Sequence, residues 1–346
     1  MKVFKSNKKS VFVTFLVTVF FCAIFAFTGI FTQNKQDFAA EAKVNGTAID
    51  LGTGGFSGNT TAKNNLPSLY AKLTGSTTAT YSALETAFAS SGTGTILKNA
   101  TQINADVKMG GQTWNVVALT KTSSGLVATL WLADSNEKYK WNDWYENNTT
   151  YAYPSSMYSS SKIRSRLVGT KYVSTKGATT LAGASVQNTT WSTLITQYGS
   201  QIVAPSAVAW QGTEAANGSA ASGGVNWTYN NPNDAWGTPR VQNWYSSGSV
   251  VIKDITTKSG YNGWSADKLW LPSITETGYN DSYPGLWHTS ATQRANSSGT
   301  YCWLRSGSSI IANYAYFLSA DGSDCNYGSV TSEYAVRPAL HLNLKS

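Results

Sequence analysis

Trp114-Asn115-Val116-Val117-Ala118-Leu119 and Leu126-Val127-Ala128-Thr129-Leu130-Trp131-Leu132 face each other across Ser124-Gly125. The apolar period here is two. In the second arm Leu126, Ala128, Leu130 and Leu132 fall on one side and Val127, Thr129 and Trp131 on the other. Two alternating arms around a Ser-Gly turn predict a β-hairpin. It opens after Met109-Gly110-Gly111, and residues 106–346 are expected to form the main domain around it.

Upstream, residues 43–105 read as a small helical module. Leu66, Leu69 and Leu73 share a helical face, with Pro67 placed near the start and Gly75 just past the end. A second short helix is predicted over Tyr81, Leu84 and Phe88, stopping at Ser90-Ser91-Gly92. Nothing in this stretch points to chemistry, so packing or spacing is its expected role.

Downstream, Ser159 to Leu167 places Ile163 and Leu167 one turn apart behind serine N-caps, ending near Gly169. A further helix is expected over Trp191, Leu194, Ile195 and Tyr198, closed by Gly199. From Gln211 to Asp267 the chain is aromatic and Asn/Gly-rich, with few regular periods, which reads as long surface loops. Short strands are then predicted at Leu269–Leu271, Cys302–Leu304, Tyr316–Leu318 and Ala335–Leu344. Few helices and many short strands indicate an α+β domain dominated by twisted sheet.

The first 42 residues suit export. Lys2, Lys5, Lys8 and Lys9 precede an uncharged apolar run from Val11 to Phe31, and Ala40 and Ala42 supply a cleavage-type site. Residues 1–42 read as a signal peptide cleaved after Ala42 or, uncleaved, as an anchor spanning the membrane through residues 11–31. Both place the body outside the membrane, secreted or at the cell surface. The net charge is +8, and five lysines and two acidic residues precede the cleavage site, leaving a mildly basic +5. No Lys/Arg cluster interrupts the body, so nucleic acid is not an expected partner. Two cysteines remain in the body, Cys302 and Cys325; in an oxidising compartment they pair or stay as separate thiols.

The C-terminal third carries a recognisable order: Leu269-Trp-Leu-Pro-Ser273, Cys302-Trp-Leu-Arg-Ser-Gly307, Ala320-Asp-Gly322 and Ala335-Val-Arg-Pro-Ala-Leu-His-Leu-Asn-Leu344. This order resembles the C-type-lectin-like, formylglycine-generating-enzyme-like variable proteins of diversity-generating retroelements, and related bacterial and phage surface domains. The likeness covers roughly residues 106 to 344, and its Arg-Pro-Ala-Leu ending is its most specific part. It implies a C-type-lectin-like fold with a variable segment near 306–334, in which adenine-directed rewriting diversifies a ligand-binding site. Between Ser306 and Ser332 the chain uses only residue types reachable from an AAC codon by changing its adenines, and it lacks Lys, Glu, Gln, Met and Trp there. Glu333 departs from that rule.

Carried over position by position, the resemblance makes Ile310, Ile311, Asn313, Tyr314, Phe317, Asp324, Cys325, Asn326, Tyr327, Ser329, Thr331 and Ser332 ligand-facing. Ala312, Ala315, Gly322, Val330 and Arg337 are then scaffold. The competing reading puts Ile310, Ile311 and Phe317 in the core. Tyr and Phe supply rigid contact area while Asn and Ser supply adaptable hydrogen bonds, a composition suited to a protein or glycan ligand at a cell or phage-host surface. The alternative is a non-diversified carbohydrate- or wall-binding protein.

Chemistry is sparsely supplied. His288 and His341 are the only histidines, and neither sits in a nucleophile or metal-ligand pattern. An oxidase of the formylglycine-generating type needs a reactive cysteine pair, yet Cys325 lies inside the presumed variable stretch, so the chain reads as a binding protein and no cofactor is expected. Trp141-Asn142-Asp143 spells a calcium-lectin tripeptide without its partner motif, and Asn231-Pro232-Asn233-Asp234 has oxygen ligands at turn spacing. A structural calcium among such loops is the one metal the sequence allows.

Overall fold

The computed structural model describes residues 47–77, 79–145, 155–205, 208, 266–278, 285–307 and 313–345. The hairpin is its centre: β4 (Gln112–Thr122) pairs with β5 (Gly125–Leu132) from Trp114↔Leu132 to Thr122↔Gly125, with a bulge between Val116 and Ala118. Nearly every residue of β5 is buried, on both faces. That burial requires cover on each side, and the chain supplies it from opposite ends.

On one edge β5 pairs with β12 (Ala339–Asn343), which pairs with β7 (Ile202–Val203). On the other edge β4 takes β3 (Asp106–Met109) along one half and β2 (Ile96–Asn99) along the other, and β1 (Ile49–Asp50) adds in parallel to β3. The result is a seven-stranded mixed sheet. A second sheet of five strands runs in the order β10 (Cys325–Ser329), β9 (Tyr314–Leu318), β8 (Cys302–Gly307), β11 (Glu333–Ala335), β6 (Lys138–Lys140). Its pairs are antiparallel except β8–β11. The chain is α+β, with few helices and two mixed sheets.

The four longer helices start and stop on local signals. In α1 (Thr60–Thr74) Asn59 accepts from Ala62 N–H at 3.0 Å, and Gly75 closes it in the left-handed region at φ 77°. Pro67 is interior to α1 rather than near its start, because the Asn59 cap begins the helix upstream. Thr80 caps α2 (Tyr81–Ala87), Ser161 caps α3 (Lys162–Val168) and Asn188 caps α4 (Thr189–Tyr198). Two one-turn helices, α5 (Ile274–Thr277) and α6 (Ala291–Arg294), each carry a capping box.

Among the described residues, the stretch 47–105 holds strands as well as α1 and α2. The stretch contributes β1 and β2 to the large sheet, the described residues from 47 onward fall in one compact unit, and a single core runs from Leu51 to Leu344. Tyr198 in α4 donates to Gly52 C=O at 2.6 Å, and Tyr70 in α1 donates to Leu344 C=O at 2.7 Å, tying both ends of the unit together. Burial pushes the Tyr198 phenol up to about 12, which keeps it a donor. The strand expected at Leu269–Leu271 is reduced to a single bridge, Trp270↔Ala339, and the one expected over Ala335–Leu344 is broken at Arg337-Pro338 into β11 and β12, one in each sheet. The loops expected over 211–267 lie almost wholly outside the described residues.

A candidate ligand-binding face on the small sheet

Arg337 is the anchor of this region. Its side chain is fully buried, with its guanidinium 4.2 Å from the Trp131 ring. Nε donates to Leu132 C=O at 3.0 Å, Nη1 to Arg294 and Ala295 C=O at 2.6 and 2.8 Å, and Nη2 to Ala133 and Gln293 C=O at 2.9 and 2.8 Å. One cation thus joins the end of β5 to the C-terminal carbonyls of α6. Five fixed donors on a plane make Arg, and not Lys, the residue for such a cluster.

From α6 the connection passes to the β9–β10 turn. Arg294, also fully buried, donates from Nε to Gly322 C=O at 2.7 Å. Gly322 sits at φ 72°, and a Cβ there would collide with Ala291 C=O and Ala295 N and stand 2.7 Å from the Arg294 carbonyl carbon. Within the turn the Ser319 hydroxyl and Ser323 N–H donate to Asp321 at 2.6 and 3.1 Å. Partial burial works against the Asp321 carboxylate, but these donors prevail and hold its pKa below the ordinary value.

The hairpin carries most of the predicted ligand set and divides it. Pairing of Leu318 with Cys325, Tyr316 with Tyr327 and Tyr314 with Ser329 puts Tyr314, Cys325, Tyr327 and Ser329 on one face. Phe317 pairs with Asn326 on the opposite face. Tyr327 is 39 % exposed, and Asp324 and Asn326 are exposed as well. Asn313, Tyr314, Ser329, Thr331 and Ser332 are half-buried around the strand ends, where the Ser329 and Thr331 hydroxyls meet at 2.9 Å. Two members need correction: Cys325 is 1 % exposed and Phe317 is 8 % exposed, so neither presents a surface to a ligand. Phe317 is covered by the Tyr301, Trp303 and Tyr334 rings, and Cys325 is buried on the opposite face of the hairpin, which strand alternation alone does not reveal. Ile310, Ile311 and Ala312 lie outside the described residues. The scaffold positions Ala315, Val330 and Arg337 are fully buried.

The face bearing Phe317 and Asn326 continues across the sheet as an aromatic strip that sequence reasoning missed. Tyr301 stacks on Phe317 with centroids 4.7 Å apart and planes at 16°. Tyr334 meets Tyr301 at 5.4 Å, Phe317 at 4.8 Å and Trp303 at 4.5 Å. Trp303 lies beneath and donates to Tyr139 C=O at 2.9 Å. Gly328 leaves room for the Tyr334 ring: a Cβ there would stand 2.8 Å from its hydroxyl and 3.1 Å from Phe317 Cε1. The only sequence signal was parity, since Tyr301 and Trp303 are two apart and Tyr334 alternates with Ala335. At the far end Tyr139 carries the Arg166 guanidinium at 5.0 Å and the Lys162 ammonium at 5.4 Å. Burial raises the Tyr139 phenol above its usual value against the pull of those cations.

The remaining candidates are structural. Asn142 Oδ1 accepts from Lys162 N–H at 2.9 Å, Asp143 pairs with Lys162 Nζ at 2.6 Å, and Trp141 is fully buried against Trp303, so the tripeptide braces the start of α3. Asn231–Asp234 lies outside the described residues; among those described, no group of three or more His, Cys, Asp or Glu side chains stands together for a metal. His341 lies on β12. It is fully buried, 3.1 Å from Thr129 Oγ1 and 4.5 Å from the Trp270 ring, and burial, aided by the Arg305 charge, pulls its pKa down to about 3. Cys302 and Cys325 both pair with Leu318 from opposite sides of β9. Two strand spacings of about 4.8 Å put their Cα atoms roughly 9–10 Å apart, past the ~7 Å limit for a disulfide.

Among the described residues, no helix is long and apolar enough to cross a membrane, and residues 11–31 lie outside them. Comparisons with protein-family models, with curated proteins and with solved structures return no match, so the chain's own geometry carries the functional reading.

Proposed function

We propose that this chain is a ligand-binding protein of the extracytoplasmic surface, secreted or anchored, that presents the β9–β10 hairpin from a C-type-lectin-like scaffold. The observation that carries the reading is the division of labour within the hairpin. Its turn is held at Gly322 by the Arg337–α6 chain of buried contacts, a rigid base beside which Asp324, Asn326 and Tyr327 are offered to solvent. A rigid base with an adaptable, tyrosine-bearing rim is the arrangement that tolerates side-chain change without loss of fold. Residues 306–332 are the diversified segment in this reading.

The test is a comparison of this gene across many isolates. Codon changes confined to adenine-template positions at exposed hairpin residues, with Ala315, Gly322 and Val330 constant, are the expected outcome. An unvaried segment removes diversification and leaves a fixed surface binder.

A further inference from the structure

The strip beside the hairpin points to a ligand class. We infer that Tyr301 and Tyr334, backed by Phe317, form a stacking platform for a pyranose ring of a surface glycan, a subsite beside the hairpin rim. This rests on the binding-protein reading and deepens it.

Tyr301 is stacked on Phe317 through one face and met edge-on by Tyr334, so the 40 % of its surface that remains exposed belongs to its opposite face and rim. That ring face carries the negative lobe of the aromatic quadrupole, which attracts the slightly positive C–H bonds lining the flat side of a pyranose. Exposure of 40 % amounts to roughly 90 Å² for a residue that buries 150–250 Å² when covered. About 90 Å² is the scale of one ring face, small beside the roughly 800 Å² that each partner buries in a stable protein interface. The wider surface agrees: the large hydrophobic side chains exposed among the described residues are Tyr145, Tyr301 and Tyr327, all bearing a hydroxyl.

One exposed hydrogen-bonding side chain shares the face of these rings: Asn326, paired with Phe317 across β9–β10. Tyr334 is held in place by Gly328, whose missing side chain leaves space for the Tyr334 hydroxyl. Tyr301 and Tyr334 both lie outside residues 306–332, while Phe317, Asn326 and Gly328, which back and flank them, lie inside that segment.

The experiment is affinity electrophoresis of the full chain in gels containing hydroxyethyl cellulose, mannan or glycol chitin, with a sedimentation assay on peptidoglycan sacculi. Retention by at least one of these is expected, weakened about tenfold or more in Tyr301→Ala and preserved in Tyr301→Phe, the loss and rescue expected of one stacking contact. Gly328→Ala should weaken the same probe by displacing Tyr334 without removing a ring, so it carries the test should Tyr301→Ala fail to fold. Absence of retention by every probe, or retention that Tyr301→Ala and Gly328→Ala leave intact, overturns the platform. Binding of a protein ligand that is sensitive to Tyr327→Ala and indifferent to Tyr301→Ala overturns it while leaving the hairpin reading standing.

Discussion

Acidification should unfold this protein through one histidine, and the effect can be isolated by substitution. His341 is fully buried on β12 between β5 and β7, with its ring against Trp270, and its pKa falls from 6.5 to about 3. The folded value lies below the unfolded one, so the unfolded chain binds this proton first and stability is lost as pH falls below about 6.5. Each pH unit in that window costs about 1.4 kcal/mol, giving about 3 kcal/mol between pH 7 and pH 4 from His341 alone. The assay is urea unfolding from pH 4 to 8 of the natural chain and of His341→Gln, which keeps a polar group near Thr129 Oγ1 and does not titrate. The difference between the two chains should change by about 3 kcal/mol, or roughly 1 M in midpoint for an m-value of about 3 kcal/mol/M. Acid effects at Asp321, whose depressed pKa also makes stability fall with pH, are common to both and cancel. Parallel pH profiles would falsify the assignment of the acid transition to His341.

Three further outcomes follow from the anchor and the sheet. Arg337→Lys should destabilise by about 3–5 kcal/mol, read by chemical denaturation, because one ammonium cannot reach carbonyls on both β5 and α6 and leaves buried acceptors unmet. Gly322→Ala should cost more than about 3 kcal/mol or abolish folding, read by soluble yield and thermal midpoint, since a positive φ and a collision with α6 backbone act together. Thiol titration of protein purified without reductant and then denatured should recover both Cys302 and Cys325 as thiols; a Cys302–Cys325 disulfide would mean that β9 does not lie between them.

Several elements were legible from local pattern. The β4–β5 hairpin follows from period-two alternation around Ser124-Gly125, and α1 to α4 follow from apolar spacing, with Ser161 before α3 and Gly75 and Gly169 as stops. Each such signal is carried by residues within a few positions of one another, because a cap or a turn is a short-range hydrogen-bond event. Trp303 and Tyr334 illustrate the limit. Both are visible as aromatic residues in short strands, yet nothing near either residue says that β8 and β11 will be neighbours.

What the sequence by itself determined, then, is the α+β class, the hairpin at its centre and the presence of the four longer helices. Only the tertiary structure decided that β1 and β2 join the large sheet, that Cys325 and Phe317 are buried, that Cys302 and Cys325 are held apart, and that Tyr301 meets Phe317 and Tyr334. Those outcomes depend on which strands pair over long separations, as β5 does with β12 across two hundred residues of chain. Strand pairing is set by the shared burial of both partners and not by any run of residues within one of them, so it becomes readable only when the chain has folded.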